Sequence, residues 1–336
     1  MTMSLTPQPF SADVLKLDAE QETHRITTSI RETIEEHLRR KGAIVGLSGG
    51  VDSSVVVALC VRALGKGKVF GLFMPEADSS DDSLKFGRLV ADALGIQATV
   101  EDISPILRGA GCYTRRDEAI KAIIPHYNDT YKSKIVLSSV LSGSEYRIFS
   151  VVVQAPDGTQ TKARLSAEAY LGVVAATNFK QRVRKMMEYY HADRLNFAVA
   201  GTPNRLEYDQ GFFVKNGDGS ADFKPIAHLY KTQVYQLAAY LGVPVEIQRR
   251  PPTTDTYSLE QSQEEFYFSL PYDKMDVCLY GKNHGVPPAD VAPVVGLTAQ
   301  EVAIVYKDID AKRHATSYLH MKPLLVNEVS EVGKTF

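Results

Sequence analysis

The sequence predicts an α/β fold, a doubly wound parallel sheet carrying a β-rich insertion, and three observations predict it. Apolar runs at Ile44 to Leu47, Val69 to Met74, Ile96 to Ile103 and Leu195 to Ala200 alternate with helix-forming segments. Loops rich in Gly, Ser or Pro follow most of these runs, as they follow buried parallel strands. Between about 105 and 170 this rhythm gives way to short β-rich runs around a strong turn, Ala155-Pro156-Asp157-Gly158. In a sheet of this kind ligands sit beyond the carboxyl ends of the strands.

Taken in order, residues 1–13 form a loose lead-in, because Pro7 and Pro9 break any regular pattern. Leu15 to Arg40 is dense in helix formers. Its Ile26, Ile30, Ile34 and Leu38 recur every four residues, which predicts an amphipathic helix ended by Gly42. Strand and loop occupy 43–54, and a helix follows to about Leu64, closed by Gly65-Lys66-Gly67. The second strand, Val69 to Met74, stops at Pro75. Asp78-Ser79-Ser80-Asp81-Asp82-Ser83 then supplies caps and acidic first-turn residues for a helix to about Leu94. Lys134 to Leu141 and Tyr146 to Gln154 read as strands, and the turn at 155–158 predicts a hairpin into Thr161 to Leu165. A long helix is predicted over Phe179 to Ala192. Its Met186, Tyr189 and Tyr190 form a sticky face that belongs either to the core or to a dimer seam. Gly211 to Phe223 reads as a loop, Leu229 to Leu241 as a helix stopped by Gly242 and Pro244, and a helical run is expected near Ala299 to Tyr306.

The 336 residues are 44% hydrophobic and 23% charged, with a net charge of -2, so composition points to neither a nucleic acid nor a membrane. No apolar run approaches the roughly 20 residues of a membrane span, and Met1 to Asp13 lacks the order of a signal peptide, so a cytoplasmic protein is expected. Cys60, Cys112 and Cys278 are too far apart for a Cys-x-x-Cys motif and read as reduced structural thiols. His284, near Asp276 and Cys278, is either a metal ligand or part of a surface loop, and its Lys282-Asn283-Gly285 surroundings favour the loop.

The stretch Ser48-Gly49-Gly50-Val51-Asp52-Ser53-Ser54 carries the first chemistry. Glycines between a buried strand and a helix let several N–H groups converge on one anion, and phosphate is the natural guest. A plain Ser/Gly connection with a cap is the alternative. Gly201-Thr202-Pro203-Asn204-Arg205-Leu206-Glu207 also follows an apolar strand, so it emerges at the same edge of the sheet. Glu207 and Asp52 can then share a hard cation such as Mg2+, although Glu207 alone reads equally as a solvated helix-start carboxylate. Lys231 opens a helix after the acidic loop and, taken alone, is an ordinary surface lysine.

Together these strings resemble the NAD synthetases, members of the ATP-pyrophosphatase group, whose fold is Rossmann-like. The resemblance extends through Met74-Pro75, Asn178-x-Lys180-x-Arg182, the string from Gly211 to Asp222, Leu229 to Val234, Pro251-Pro252-Thr253-Thr254-Asp255 and Lys312-Arg313. It implies one domain over 1–336 that adenylates the nicotinate carboxylate of deamido-NAD with ATP and then lets ammonia displace AMP. It also implies that Ser48, Gly49, Gly50, Ser53 and Ser54 hold pyrophosphate, that Asp52 and Glu207 hold Mg2+, and that Lys231 and Thr253 contact ATP phosphates. Thr202 would seat ATP. Asn178, Arg182, Lys215, Asp218 and Asp222 would grip deamido-NAD at a homodimer interface. Three features depart from the pattern: the Pro203-Asn204-Arg205-Leu206 filling, the segment at roughly 105–170, and the lack of a glutaminase domain. The last leaves free ammonia as the expected nitrogen donor, unless a separate glutaminase subunit delivers it. Two other readings keep the fold: amidation of a different carboxylate, and a catalytically silent nucleotide-binding protein. Retention of Asp52, Glu207 and Lys231 together argues against the silent one.

Overall fold

The computed structural model describes residues 9–137, 149–252, 256–263, 267–268 and 270–330. A 3-10 turn at Ala12–Leu15 leads to α1 (Ala19–Glu32), which Asp18 caps and a π turn at Thr33–His37 prolongs. β1 (Ala43–Gly46), α2 (Val51–Leu64), β2 (Val69–Phe73), α3 (Asp81–Leu94) and β3 (Gln97–Val100) follow in the predicted rhythm. The chain continues through α4 (Ser104–Gly109), α5 (Cys112–Lys121), β4 (Lys132–Leu137), β5 (Phe149–Gln154) and β6 (Gln160–Arg164). α6 (Ala167–Leu195), β7 (Ala198–Ala200), α7 (Arg205–Gln210), α8 (Lys231–Tyr240) and α9 (Val245–Gln248) come next. α10 (Tyr272–Asn283), α11 (Pro288–Val295) and α12 (Ala299–His320) form a helical cluster at the end.

The parallel sheet has the order β3-β2-β1-β7. Ile44 of β1 lies opposite Phe70 of β2 on one side and Val199 of β7 on the other. Successive side chains of a strand point to opposite faces. Ala43 and Val45 accordingly pack with Ile26 and Ile30 of α1, Val55 and Leu59 of α2 and Val234 of α8. Ile44 faces the other way, onto Leu72, Val199 and Ala192 of α6. From β1 the chain moves outward to β2 and β3, then returns to pair β7 with the opposite edge of β1. The loops after β1 and β7 therefore part at a topological switch point, which leaves a crevice between them.

A second, antiparallel sheet has the order β4-β5-β6, with Lys134, Val152 and Lys162 in register. Its turn places Gly158 at a φ of 88°, as the Pro-Asp-Gly string predicts. The buried face, with Ile135, Val151 and Val153, packs on Ile120, Ile124 and Tyr127 and on Ala169 and Val173 of α6. In chain order this sheet lies between β3 and β7. α6, 29 residues and so about 44 Å long, ties the two sheets together.

Several boundaries differ from expectation. The stretch after residue 104 holds two short helices instead of unbroken mixed structure. α6 starts at Ala167, well before Phe179, where Ser166 Oγ accepts from Ala169 N at 3.1 Å. Its first turns are mostly apolar and carry Gly172, so they show no charge periodicity; packing against the second sheet holds them helical. β3 is shorter than Ile96 to Ile103 and partly exposed, as befits an edge strand. α12 runs far past Tyr306. Residues 1–8 of the lead-in, and 138–141 and 146–148 of the predicted strands, lie outside the described residues. Among the described residues no single helix is long and apolar enough to cross a membrane.

Candidate active site

The loop after β1 turns on Gly49 and Gly50. Gly49 has a φ of +73°, and a Cβ there would lie 2.6 Å from the carbonyl of Ser83 and 2.9 Å from Phe86 Cβ, so only glycine lets the loop sit this close to α3. Gly50 is the N-cap of α2, and no side chain caps that helix. The first-turn N–H groups and the positive end of the helix dipole are left for a ligand. Ser48 Oγ accepts from Gly50 N at 3.3 Å and lies 3.3 Å from Ser53 Oγ. Ser53 Oγ also donates to the Gly50 carbonyl at 3.1 Å. Ser54 Oγ donates to the same carbonyl at 2.8 Å, but Ser54 is fully buried.

Asp52, in the first turn of α2, forms an ion pair with Lys231, the first residue of α8. Asn204 binds both candidate metal carboxylates. Its Nδ2 donates to Asp52 Oδ1 at 3.2 Å, and its backbone N–H donates to Glu207 Oε2 at 3.1 Å. Its Oδ1 accepts from Leu206 N at 2.9 Å and Glu207 N at 3.2 Å, completing a capping box at the start of α7. The path of the Pro203-Asn204-Arg205-Leu206 filling is thereby fixed. Burial, with the charge of Asp52 behind it, pushes the Glu207 carboxyl up to about 8. Burial works against the charge on Lys231, but Asp52 and Glu207 outweigh it and raise the lysine above its ordinary range.

Asp276 of α10 is 0% exposed and accepts from the N–H groups of Lys231 at 3.2 Å and Thr232 at 2.7 Å. It caps α8 and so orients Lys231. Burial pushes its carboxyl up to about 6, against the pull of those N–H groups.

A cavity of about 600 Å³ opens over these residues. Ser48, Gly50, Asp52, Ser53, Thr202, Glu207 and Lys231 line its wall, as do Asn178, Arg182, Lys215 and Asp218. Arg182 Nε donates to the Lys215 carbonyl at 3.3 Å, and Lys215 Nζ donates to the Tyr318 carbonyl at 2.7 Å. Asp218 Oδ1 accepts from Val214 N at 2.7 Å, and burial raises its carboxyl. Gly49, Ser54 and Asp222 stand behind the wall. Asp222 accepts from Val199 N at 2.7 Å and from Tyr189 OH at 3.2 Å, which seals the edge of β7. Thr253 lies outside the described residues.

Several wall or supporting residues escaped the sequence reading. Asn204 was legible in principle, since Asn-x-x-Glu ahead of an apolar residue is a capping-box signature. Asp276 gave no signal, because its partners are 44 and 45 residues away. Arg250, which reaches the Gly49 carbonyl at 3.4 Å and Ser83 Oγ at 3.2 Å, and the buried pair Lys185 and Glu188 at 2.5 Å were also missed. His284 is exposed and stacks on Tyr280 with ring centroids 3.9 Å apart. No group of three or more His, Cys, Asp or Glu that could hold a metal occurs among the described residues.

Comparison with known proteins places the chain in a family. The family model described as NAD synthase matches residues 22–136 and 141–318. The NH(3)-dependent NAD(+) synthetase of Rhizobium meliloti (strain 1021) is 60% identical over 323 residues, 96% of this chain and 96% of the relative. That of Thermotoga maritima is 39% identical over 249 residues, 74% of this chain and 82% of the relative. Among solved structures, the NH3-dependent NAD synthetase of Campylobacter jejuni superposes with a TM-score of 0.61 at 21% identity, covering 93% of this chain and 100% of the other, a likeness of fold. On the family match and these identities, the chain belongs to the NAD synthase family.

Proposed function

We propose that this chain makes NAD from deamido-NAD, ATP and ammonia, releasing AMP and pyrophosphate, at the crevice between the loops after β1 and β7. The observation that carries the reading is the meeting of Asp52, Glu207 and Lys231 beside an uncapped helix start, in a member of the NAD synthase family. A carboxylate repels nucleophiles and has no leaving group. One of its oxygens therefore attacks the α-phosphorus of ATP, and the bond to pyrophosphate breaks. Ammonia then adds to the acyl carbon, loses a proton, and the bond to AMP breaks.

The first turn of α2, with Ser48, Gly50 and Ser53, cradles the departing pyrophosphate. Lys231, pinned by Asp276, places a fixed cation where phosphate charge builds up. Thr202 seats ATP, and Asn178, Arg182, Lys215 and Asp218 hold the dinucleotide. Gly49, Ser54 and Asp222 shape the site from behind, and Thr253 supplies a phosphate contact. Two carboxylates tied together by Asn204, with Glu207 raised by burial and then by Asp52, form the hard-oxygen donor set that Mg2+ accepts alongside phosphate oxygens. Mg2+ held by Asp52 and Glu207 would supply charge neutralisation on the phosphates.

Residues 1–336 constitute one domain, interrupted at about 105–170 by the β-rich segment. Exposed Met186 and Tyr190 on α6 support a homodimer, and three free, buried cysteines support a reducing cytoplasmic home. The test is an assay with ATP, Mg2+, ammonium and deamido-NAD, with nicotinate mononucleotide as a competing acceptor. NAD and pyrophosphate should form in equal amounts from deamido-NAD. Pyrophosphate without NAD, or preference for the mononucleotide, would assign the chain a different acceptor.

A further inference from the structure

One stretch of chain, residues 256–263, joins the antiparallel sheet to the candidate site. Tyr257, 8% exposed, sits in the same apolar cluster as Ile120, Ile135, Val151 and Val173. The residues after it run along the outer edge of β4. Leu259 N donates to the Ser133 carbonyl at 3.2 Å, and Ser133 N donates to Ser258 Oγ at 2.9 Å. Lys134 Nζ donates to the Glu260 carbonyl at 3.2 Å, and the Gln261 amide donates to the Ile135 carbonyl. The Thr256 carbonyl accepts from Lys180 Nζ at 2.6 Å. Lys180 is 0% exposed and also pairs with Glu76 at 2.9 Å and Asp78 at 2.6 Å.

The far end of the stretch is in the site. Gln263 Nε2 donates to Glu207 Oε1 at 3.4 Å, Gln263 N donates to the Pro252 carbonyl at 3.4 Å, and Tyr272 OH donates to Gln263 Oε1. Pro251, Pro252, Thr256, Tyr257 and Gln263 all line the cavity. The same few residues thus touch the core of one sheet and a carboxylate at the end of the other.

We propose that the antiparallel sheet is a positioning module for ATP binding. It takes Tyr257 into its core and the 258–261 backbone onto its edge, and thereby fixes Gln263 against Glu207 and against the Pro252 carbonyl. A connection between helices that lacks its own core is conformationally free, and ordering it at each binding event weakens affinity. Anchoring it on a preformed sheet removes that cost before ATP arrives. Tyr257 acts through Gln263, so it is a positioning residue and not a catalytic one.

The kinetic arm of the test rests on the NAD synthetase reading, whereas the exchange arm does not. Tyr257→Ala should raise the KM for ATP about tenfold while leaving the KM for ammonium unchanged, and Tyr257→Phe should restore it. Amide hydrogen exchange at 256–263 should speed up in Tyr257→Ala with or without substrates. Leu259→Pro deletes one edge hydrogen bond without touching the core and should shift both readouts in the same direction. Unchanged exchange at 256–263 in a folded Tyr257→Ala overturns the proposal. If that variant does not fold, unchanged exchange in Leu259→Pro does so. NAD formation by the wild type, measured alongside, judges the reaction separately.

Discussion

Asp52→Asn is expected to lower kcat/KM by at least about 10³-fold, roughly 4 kcal/mol of transition-state stabilisation. The substitution removes a negative charge from the shared carboxylate site and the partner of Lys231 at once. It also destabilises the fold, because Lys231 is 1% exposed and would be left as a buried cation without its ion-pair partner. Stability and catalysis can be separated. In the double variant Asp52→Asn with Lys231→Met the unpaired charge is gone, so the melting temperature should recover while activity stays lost. Glu207→Gln should also abolish turnover. Recovery of near wild-type activity in either carboxylate variant would remove Asp52 and Glu207 from the metal assignment.

Lys231→Met should cost about 10² to 10³-fold in kcat, the loss typical of deleting one preorganised group that meets developing charge. Its effect on stability should be milder than that of Asp52→Asn, because the Asp52 side chain is 18% exposed and can be solvated when its partner goes. Thermal melts of the two single variants, compared at one pH, test that asymmetry. Asp276→Asn should weaken the same step less, since it keeps an acceptor for one of the two N–H groups at the start of α8. Equal melting temperatures for Asp52→Asn and Lys231→Met would contradict the account of this ion pair.

The parallel half of the fold was legible because its signals are local. Apolar runs such as Val69 to Phe73, and the glycines at 49, 50 and 65, mark strand ends and helix ends within a few residues of where they act. The loops after β1 and β7 could be placed at one edge because both follow strands of a parallel sheet, and the structure puts Asp52 and Glu207 on either side of Asn204. Other features depended on distant partners. The first turns of α6 are helical through packing on β5 and β4, and α4 and α5 are too short to show a period, with Pro105, Gly109 and Gly111 around them. Asp276 and Tyr257 matter only through contacts with Lys231 and with Ile135 and Val151, which no local pattern encodes. The same limit applies to Ser54 and Asp222: the motif includes them, but only the three-dimensional path shows that they stand behind the cavity wall.

The central claim is that the crevice between the loops after β1 and β7 activates a carboxylate as an adenylate. Deamido-NAD labelled with 18O in its nicotinate carboxylate tests this most directly, with the products resolved by mass spectrometry. If the carboxylate attacks the α-phosphorus, one labelled oxygen appears in AMP for every NAD formed, and the new amide keeps the other. Unlabelled AMP, with the label in inorganic phosphate or pyrophosphate, would contradict it.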